Sequence, residues 1–310
     1  MSEIKIKIGT RGSKLALWQA YYVEELLQKS GLETEIITIE TKGDKILDRT
    51  LAKIGSKGVF TEELEDQLIS GDIDIAVHSA KDVQSSLAEG FELIAFSKRE
   101  KIHDVLVSKT TSFNPEKPLT LGTSSVRRVA MLKKYLPNMK VVDVRGNLQT
   151  RIKKMEDGLC DALVLAYAGV HRMGYEEMVI HEFPTNNFIP AVGQGTVAIE
   201  AHTNLSTEAK EAIRKAINHT ETEFQLLAER AFLRKLEGGC SIPAFALAQT
   251  DMETKRISIT GGLIATDGSQ LIQNTFEGTL EEAADIGEKL ANYVLENGGV
   301  ELLAEIKGNK

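Results

Sequence analysis

The sequence predicts an α/β protein built on parallel sheet covered on both faces, followed by a small α+β domain. Three observations lead there. Over the first two thirds, short runs rich in Ile and Val alternate with amphipathic segments of helical period. Several of those runs end directly in charged or hydroxyl residues, the place where open α/β sheets bind ligands. After about residue 218 the order changes to a helix, then alternating strands, then a helix.

Each element has a local reason. Strands are expected near 4–8 (IKIKI), 35–40 (EIITIE), 72–78 (DIDIAVH), 104–108 (DVLVS), 119–121, 140–144 (KVVDV) and 161–166 (DALVLA). Helices fall between them at 14–29, 61–69, 124–135 and 147–157, the first with Ser13 as candidate N-cap and Gly31 behind it. Beyond these, a helix is expected over 220–236. The strands RISITGGLIA and QLIQNTF flank the turn residues Asp267 and Gly268, and a last helix covers 280–296. No internal repeat and no low-complexity linker is visible.

Composition sets limits. The chain has 310 residues, 42% hydrophobic and 26% charged, enough for two or three domains with filled cores. No apolar run reaches membrane-spanning length and MSEIKIKIGT lacks the basic and apolar regions of a signal peptide, so the expected address is the cytoplasm. The two cysteines, Cys160 and Cys240, are far apart in sequence, which fits a reducing compartment better than a disulfide framework. A net charge of −8 argues against nonspecific nucleic-acid binding, which needs a basic face. His78 and His171 have no partners at metal-ligand spacing, so no metal is expected. No Walker loop or GxGxxG follows a strand.

The strand ends carry the chemistry. IKIKIGT runs into Arg11 and Ser13, DIDIAVHSA into Lys81 and Asp82, and LTLG into Thr123, Ser124, Ser125, Arg127 and Arg128. KVVDV runs into Arg145, with Arg151 two turns along, and DALVLAYAGV into His171 and Arg172. Guanidinium forks pair with carboxylates or phosphates, and helix N-termini add backbone donors, so one cleft holding these groups would suit a polyanion. Asp82 reads either as a structural partner of Lys81 or as a general acid/base. Cys240 follows the helical run ERAFLRKLE and two glycines, Gly238 and Gly239, with Pro243 blocking resumption of the helix. Packing is the ordinary fate of a free cysteine, but flanking glycines let a ligand approach this sulfur closely. Cys160, beside DALVLA, reads as core.

Six motifs in order, GTRGSKLALWQA, HSAKDV, LGTSSVRR, VRGNLQTR, PAVGQG and ERAFLRKLEGGCSIP, resemble those of the porphobilinogen deaminase (hydroxymethylbilane synthase) family over nearly the full length. The resemblance implies two doubly wound domains like type II periplasmic binding proteins and a third domain bearing the cysteine. They are expected at 1–98 with 197–217, at 99–196 and at 218–310. It implies a dipyrromethane cofactor, joined by a thioether to Cys240 and serving as primer. Four porphobilinogens are then joined head to tail with loss of ammonia, and water releases the linear tetrapyrrole. By resemblance Asp82 is catalytic. The cofactor would meet Ser13, Lys81, Asp82, Thr123, Ser125, Arg127, Arg128, Arg145 and Gly146. Substrate would meet Arg11, Ser13, Arg145, Arg151, Arg172 and Gln194. Lys53, Lys57 and Phe60 lie in a segment resembling the family's mobile loop, expected to close during elongation. The expected partner is porphobilinogen alone, with no nucleic acid and no membrane, and the expected state is a monomer.

The sequence departs from the family pattern at Gln84, where proline usually follows the KD pair, at Ala80, at Phe245, and at His202 and Thr203. Loss of the proline is expected to loosen the turn that aims Asp82. Two other classes account for part of the pattern. A noncatalytic anion-binding module explains the arginines and leaves Cys240 without a role. A thiol nucleophile would need a partner in His78 or His171.

Overall fold

The computed structural model describes residues 5–41, 61–109, 112–237 and 242–308. Strand β1 (Lys5–Arg11) leads into α1 (Lys14–Lys29), whose N-cap Ser13 accepts from Ala16 N at 3.3 Å, as its position in the sequence predicts. Next come β2 (Glu33–Ile39), α2 (Glu62–Ser70), β3 (Ile75–Ser79), a 3₁₀ turn at Ala80–Asp82, and β4 (Phe91–Phe96). Then follow β5 (Asp104–Val107), β6 (Thr120–Gly122), α3 (Val126–Tyr135), β7 (Lys140–Val142) and α4 (Leu148–Glu156). After them run β8 (Ala162–Ala166), α5 (Tyr167–Arg172), β9 (Val179–Glu182), β10 (Val197–His202) and α6 (Thr207–Ile217). The chain continues through α7 (Thr220–Lys235), β11 (Ala244–Asp251), β12 (Arg256–Ile264), β13 (Leu271–Thr279), α8 (Ala283–Val294) and α9 (Val300–Gly308).

Two compact units result, one of Met1–Glu100 with Thr196–Glu223, the other of Lys101–Gly195 with Phe224–Lys310. The first unit is built on a sheet ordered β2-β1-β3-β10-β4. Its inner strands alternate between two covers: Ile6, Ile8, Ile75 and Val77 pack with Val23 and Leu27 of α1 and Ile213 of α6, while Ala76 packs with Leu64 and Leu68 of α2. The second unit repeats the order as β7-β6-β8-β5-β9. There Leu106, Leu121 and Val164 face Met131 of α3, and Val105, Val107, Leu163 and Leu165 face Ile152 and Met155 of α4. This is the doubly wound α/β class expected.

The sheets are not wholly parallel, which corrects one expectation. β10 runs antiparallel to β3 and β4, and β5 runs antiparallel to β8 and β9. β5 is buried along its whole length, so its sequence shows the unbroken apolar run that also marks a parallel strand. β4, β9, β10 and β11 were not expected. Glu92 and Glu200 interrupt two of them, β9 is short and half-exposed, and β11 opens with alanines of weak β preference.

Within the second unit a three-stranded antiparallel sheet, β11-β12-β13, forms the C-terminal domain with α7, α8 and α9 around it. Its core does not close on itself. Phe245, Leu247 and Ile264 belong to the cluster containing Leu106, Leu121 and Met131 of the neighbouring sheet. The predicted turn at Asp267 and Gly268 joins β12 to β13, and it packs against α3: a Cβ on Gly268 would lie 2.9 Å from Ala130 O. No described helix is long and apolar enough to cross a membrane.

Candidate active site

Parallel neighbours send their C-terminal ends to one edge of a sheet. In the first unit β1 and β3 are such neighbours, so Arg11 and Ser13 leave the same edge as Lys81 and Asp82. The 3₁₀ turn holding the latter pair is anchored on both sides. Ala80 and Val83 are buried, Ala80 N donates to Thr196 O at 2.9 Å, and Asp82 between them is exposed. Gln84 sits at the departure from the family proline, with its amide donating to Thr61 Oγ1 at 3.4 Å. Buried side chains flank the turn, and this contact ties its far side to Thr61. Gln19 of α1 braces the strand end by donating to Ser79 Oγ at 2.8 Å.

Under this edge lies a buried pair the sequence reading left open. His78 Nε2 is 2.9 Å from Glu200 Oε2, with both side chains buried, and Glu200 Oε1 has no hydrogen-bond partner among the described residues. Burial raises the nearby Glu65 carboxyl, a hydrogen bond from Thr61 opposes this, and the Glu200 charge adds to the rise. His171, the other candidate thiol partner, pairs with Glu176 and stacks on Tyr167.

In the second unit β6, β7 and β8 are parallel neighbours, so the segments after Gly122, Val142 and Ala166 share one edge. Thr123 Oγ1 accepts from Ser125 N at 3.3 Å, and Ser125 caps α3 by accepting from Arg128 N. After β7, Arg145 Nε donates to Asp143 at 2.8 Å; Arg151, in α4, donates to Gly146 O at 2.7 Å. Arg172 donates to Gly195 O at 2.8 Å. Arg11, Arg145, Arg151 and Arg172 are all half-buried.

Arg127 and Arg128 are placed differently: both are buried, and both turn onto Asp104, the first residue of β5. Arg127 Nη2 donates to Asp104 Oδ2 at 2.7 Å. Arg128 donates to Oδ1 from Nη2 at 2.7 Å and from Nε at 3.1 Å. Gln194 Nε2 adds a third bond to Oδ1 at 3.0 Å and also reaches Ile102 O. Gln194 stands between Gly193 and Gly195, whose φ values of 74° and 92° need glycine. Burial pushes the Asp104 carboxyl up, but the two guanidinium charges and the bonds from Arg128 and Gln194 outweigh it and hold the group far below the usual carboxylate range. Burial lowers Arg127 despite Asp104.

A second buried carboxylate, Glu229 of α7, accepts from Gly193 N at 2.8 Å and from Ala248 N at 2.9 Å. It ties the Gln194 loop to β11. Neither Asp104 nor Glu229 stood out in the sequence. The available signal was an acidic residue opening or interrupting an apolar run that the fold buries completely. Cys160 is buried beneath β6, and its thiol is pushed up to about 11 by burial and by Asp161, against a bond from Gly122. Cys240, Lys53, Lys57 and Phe60 lie outside the described residues.

Residues 6–210 match the family model of the porphobilinogen deaminase dipyrromethane cofactor binding domain, and residues 224–296 match that of the porphobilinogen deaminase C-terminal domain. The chain belongs to the porphobilinogen deaminase family. It is 55% identical to the porphobilinogen deaminase of Desulfosudis oleivorans, covering 98% of each chain, and 54% identical to that of Cytophaga hutchinsonii, covering 97% of each. Among solved structures, the VFT2 domain of BvgS from Bordetella pertussis covers 68% of this chain and 86% of its own, with 16% identity and a TM-score of 0.43.

The activity is therefore the family's. It is a transferase of porphyrin and heme biosynthesis that takes porphobilinogen and builds hydroxymethylbilane on a dipyrromethane cofactor. A noncatalytic binding module is not favoured. The residues present fit such a cofactor, whose side chains are carboxylates. The Arg127, Arg128 and Asp104 cluster holds two cations against one anion, and Arg127 Nε is a buried donor with no acceptor among the described residues.

Proposed function

We propose that the chain divides the family's reaction between two sheet edges, one for proton and charge management, the other for carboxylate recognition. The observation that supports this is the clustering of strand ends. Asp82 stands exposed beside Lys81 at one edge, and Thr123, Ser125, Arg127, Arg128, Arg145, Gly146, Arg151 and Arg172 gather at the other.

Cys240 holds the cofactor through a thioether. When bound, the dipyrromethane would supply the electron-rich terminal pyrrole carbon for the first bond, and each later unit would join the free α-carbon of the pyrrole added before it. Asp82 acts on the porphobilinogen. Its carboxylate stabilises the positive charge that develops as the carbon–nitrogen bond breaks and ammonia leaves, and it accepts a hydrogen bond from the pyrrole N–H. The ring proton displaced by the new carbon–carbon bond passes to the same carboxylate. Ser13, Lys81 and Arg11 orient substrate and cofactor at this edge. Thr123, Ser125, Arg127, Arg128, Arg145 and Gly146 hold the cofactor carboxylates through guanidinium forks and the backbone donors of α3 and α4. Arg145, Arg151 and Arg172 take those of the substrate, while Gln194, expected from the family resemblance to join them, is buried with its amide protons on Ile102 O and Asp104 and braces the cluster instead. The segment of Lys53, Lys57 and Phe60, which lies outside the described residues, is read as closing during elongation.

The chain is read as three domains, at 1–98 with 197–217, at 99–196 and at 218–310. It works as a cytoplasmic monomer with no nucleic-acid partner. Intact mass and the colour reaction of pyrroles with an acidic aldehyde reagent test the attachment. Protein from a host that makes porphobilinogen should carry added mass and give the colour, and Cys240→Ser should lose both. A Cys240→Ser chain that kept the added mass would overturn the assignment.

A further inference from the structure

We infer that Asp104 is a positioning residue for the pyrrole carboxylates: it clamps Arg127 and Arg128 in one arrangement and cancels one of their two charges, leaving a single positive charge for one ligand carboxylate. The inference rests on the reading of Arg127 and Arg128 as cofactor ligands.

Geometry comes first. Asp104 is itself immobile, paired with Ala166 at the start of β5 while its carbonyl accepts from Phe183 N at 3.0 Å. Its two oxygens accept four hydrogen bonds, three on Oδ1 and one on Oδ2. The outer ends of both guanidinium groups are also fixed, Arg127 Nη1 on Ile189 O at 2.8 Å and Arg128 Nη1 on Val164 O at 3.0 Å. A planar fork held at two points has one orientation left.

Charge comes second. A purely structural buried ion pair is expected to be balanced, because an uncompensated buried charge is strongly destabilising. This cluster is not balanced: two guanidinium groups, 4% and 6% exposed, face one carboxylate that is 0% exposed. Arg127 Nε is buried without an acceptor among the described residues. One anionic oxygen supplied by a ligand satisfies both deficits. Without Asp104 two charges would remain, and neither arginine would keep its aim.

The test compares Asp104→Asn with Arg127→Lys and Arg128→Lys. Each chain is prepared primer-free in a host unable to make porphobilinogen and then incubated with porphobilinogen. Intact mass gives the fraction carrying primer, calorimetry gives the Tm before and after loading, and steady-state rates give kcat and KM. In Asp104→Asn primer occupancy should fall at least about tenfold, or the Tm gain on loading should shrink by at least about half. Lower Tm values with unchanged occupancy and an unchanged gain on loading indicate a merely structural residue and overturn the inference. If Asp104→Asn does not fold, Asp104→Glu, which keeps the charge but moves it by one methylene, decides by the same two measurements. Normal loading of both lysine variants would instead remove the arginines from the site, and with them the reading beneath the inference. Impaired lysine variants beside a normally loading Asp104→Asn would overturn the inference alone.

Discussion

The two five-stranded sheets share one strand order and differ in what their antiparallel strand carries. In the first unit β10 buries Glu200 against His78 of β3; in the second β5 buries Asp104 against Arg127 and Arg128 of α3. The two carboxylates sit at different levels of one topology, Glu200 opposite Ala76 near the start of β3 and Asp104 opposite Ala166 at the end of β8, the first facing an imidazole and the second two permanent cations. One strand order can thus bury a carboxylate beside quite different partners, because the element that faces it is free to vary.

The largest effect should come from the exposed carboxylate of the first edge. Asp82→Asn is expected to keep its primer and its Tm while turnover falls about 10²–10⁴-fold, as measured by single-turnover kinetics and intact mass. Near-normal turnover would break the division of labour between the edges. Next is Asp104→Asn, which leaves two buried guanidinium charges without a counter-charge and should cost about 3–5 kcal/mol in denaturant unfolding. The sign of its pH dependence follows from the depressed Asp104 carboxyl. Its contribution is fully present above the unfolded carboxylate pKa of about 3.9 and is lost as pH falls through that value toward the lower folded one. Acid unfolding of the unaltered chain should therefore contain a stability loss below about pH 4 that Asp104→Asn lacks.

Glu200→Gln should be milder, at about 1–3 kcal/mol, since the amide can still accept from His78. Turnover should persist, and a loss as large as that of Asp82→Asn would merge the roles that the comparison separates. The smallest effect belongs to Cys160, whose sulfur packs under β6 and accepts one backbone bond from Gly122. Cys160→Ala should cost about 1 kcal/mol, with turnover unchanged. Its raised thiol should react with iodoacetamide at pH 8 far more slowly in native than in unfolded protein, as read by peptide mass.

Much of this was legible before any coordinates. Ser13 announced the start of α1, Asp267 and Gly268 announced a turn, and the residues following IKIKI, DIDIAVH, LTLG and KVVDV emerge at sheet edges as expected. What escaped was anything created by return strands. VAIEAH and DVLV give no sign of direction, because a strand buried on both faces loses the alternation that marks an antiparallel one. Arg127 and Arg128 show a second limit. Adjacent helical residues point about 100° apart, so their convergence on Asp104 depends on the carboxylate lying beside the first turn of α3, which no local pattern encodes. Asp104 itself looks in sequence like an ordinary polar boundary to an apolar run.

The shared core of Phe245, Leu247 and Ile264 with Leu106, Leu121 and Met131 bears on how a lengthening product finds room. Phe245, fully buried at a departure from the family pattern, adds a large aromatic ring to that joint. A carboxy-terminal module welded to its neighbour in this way cannot serve as a swinging arm.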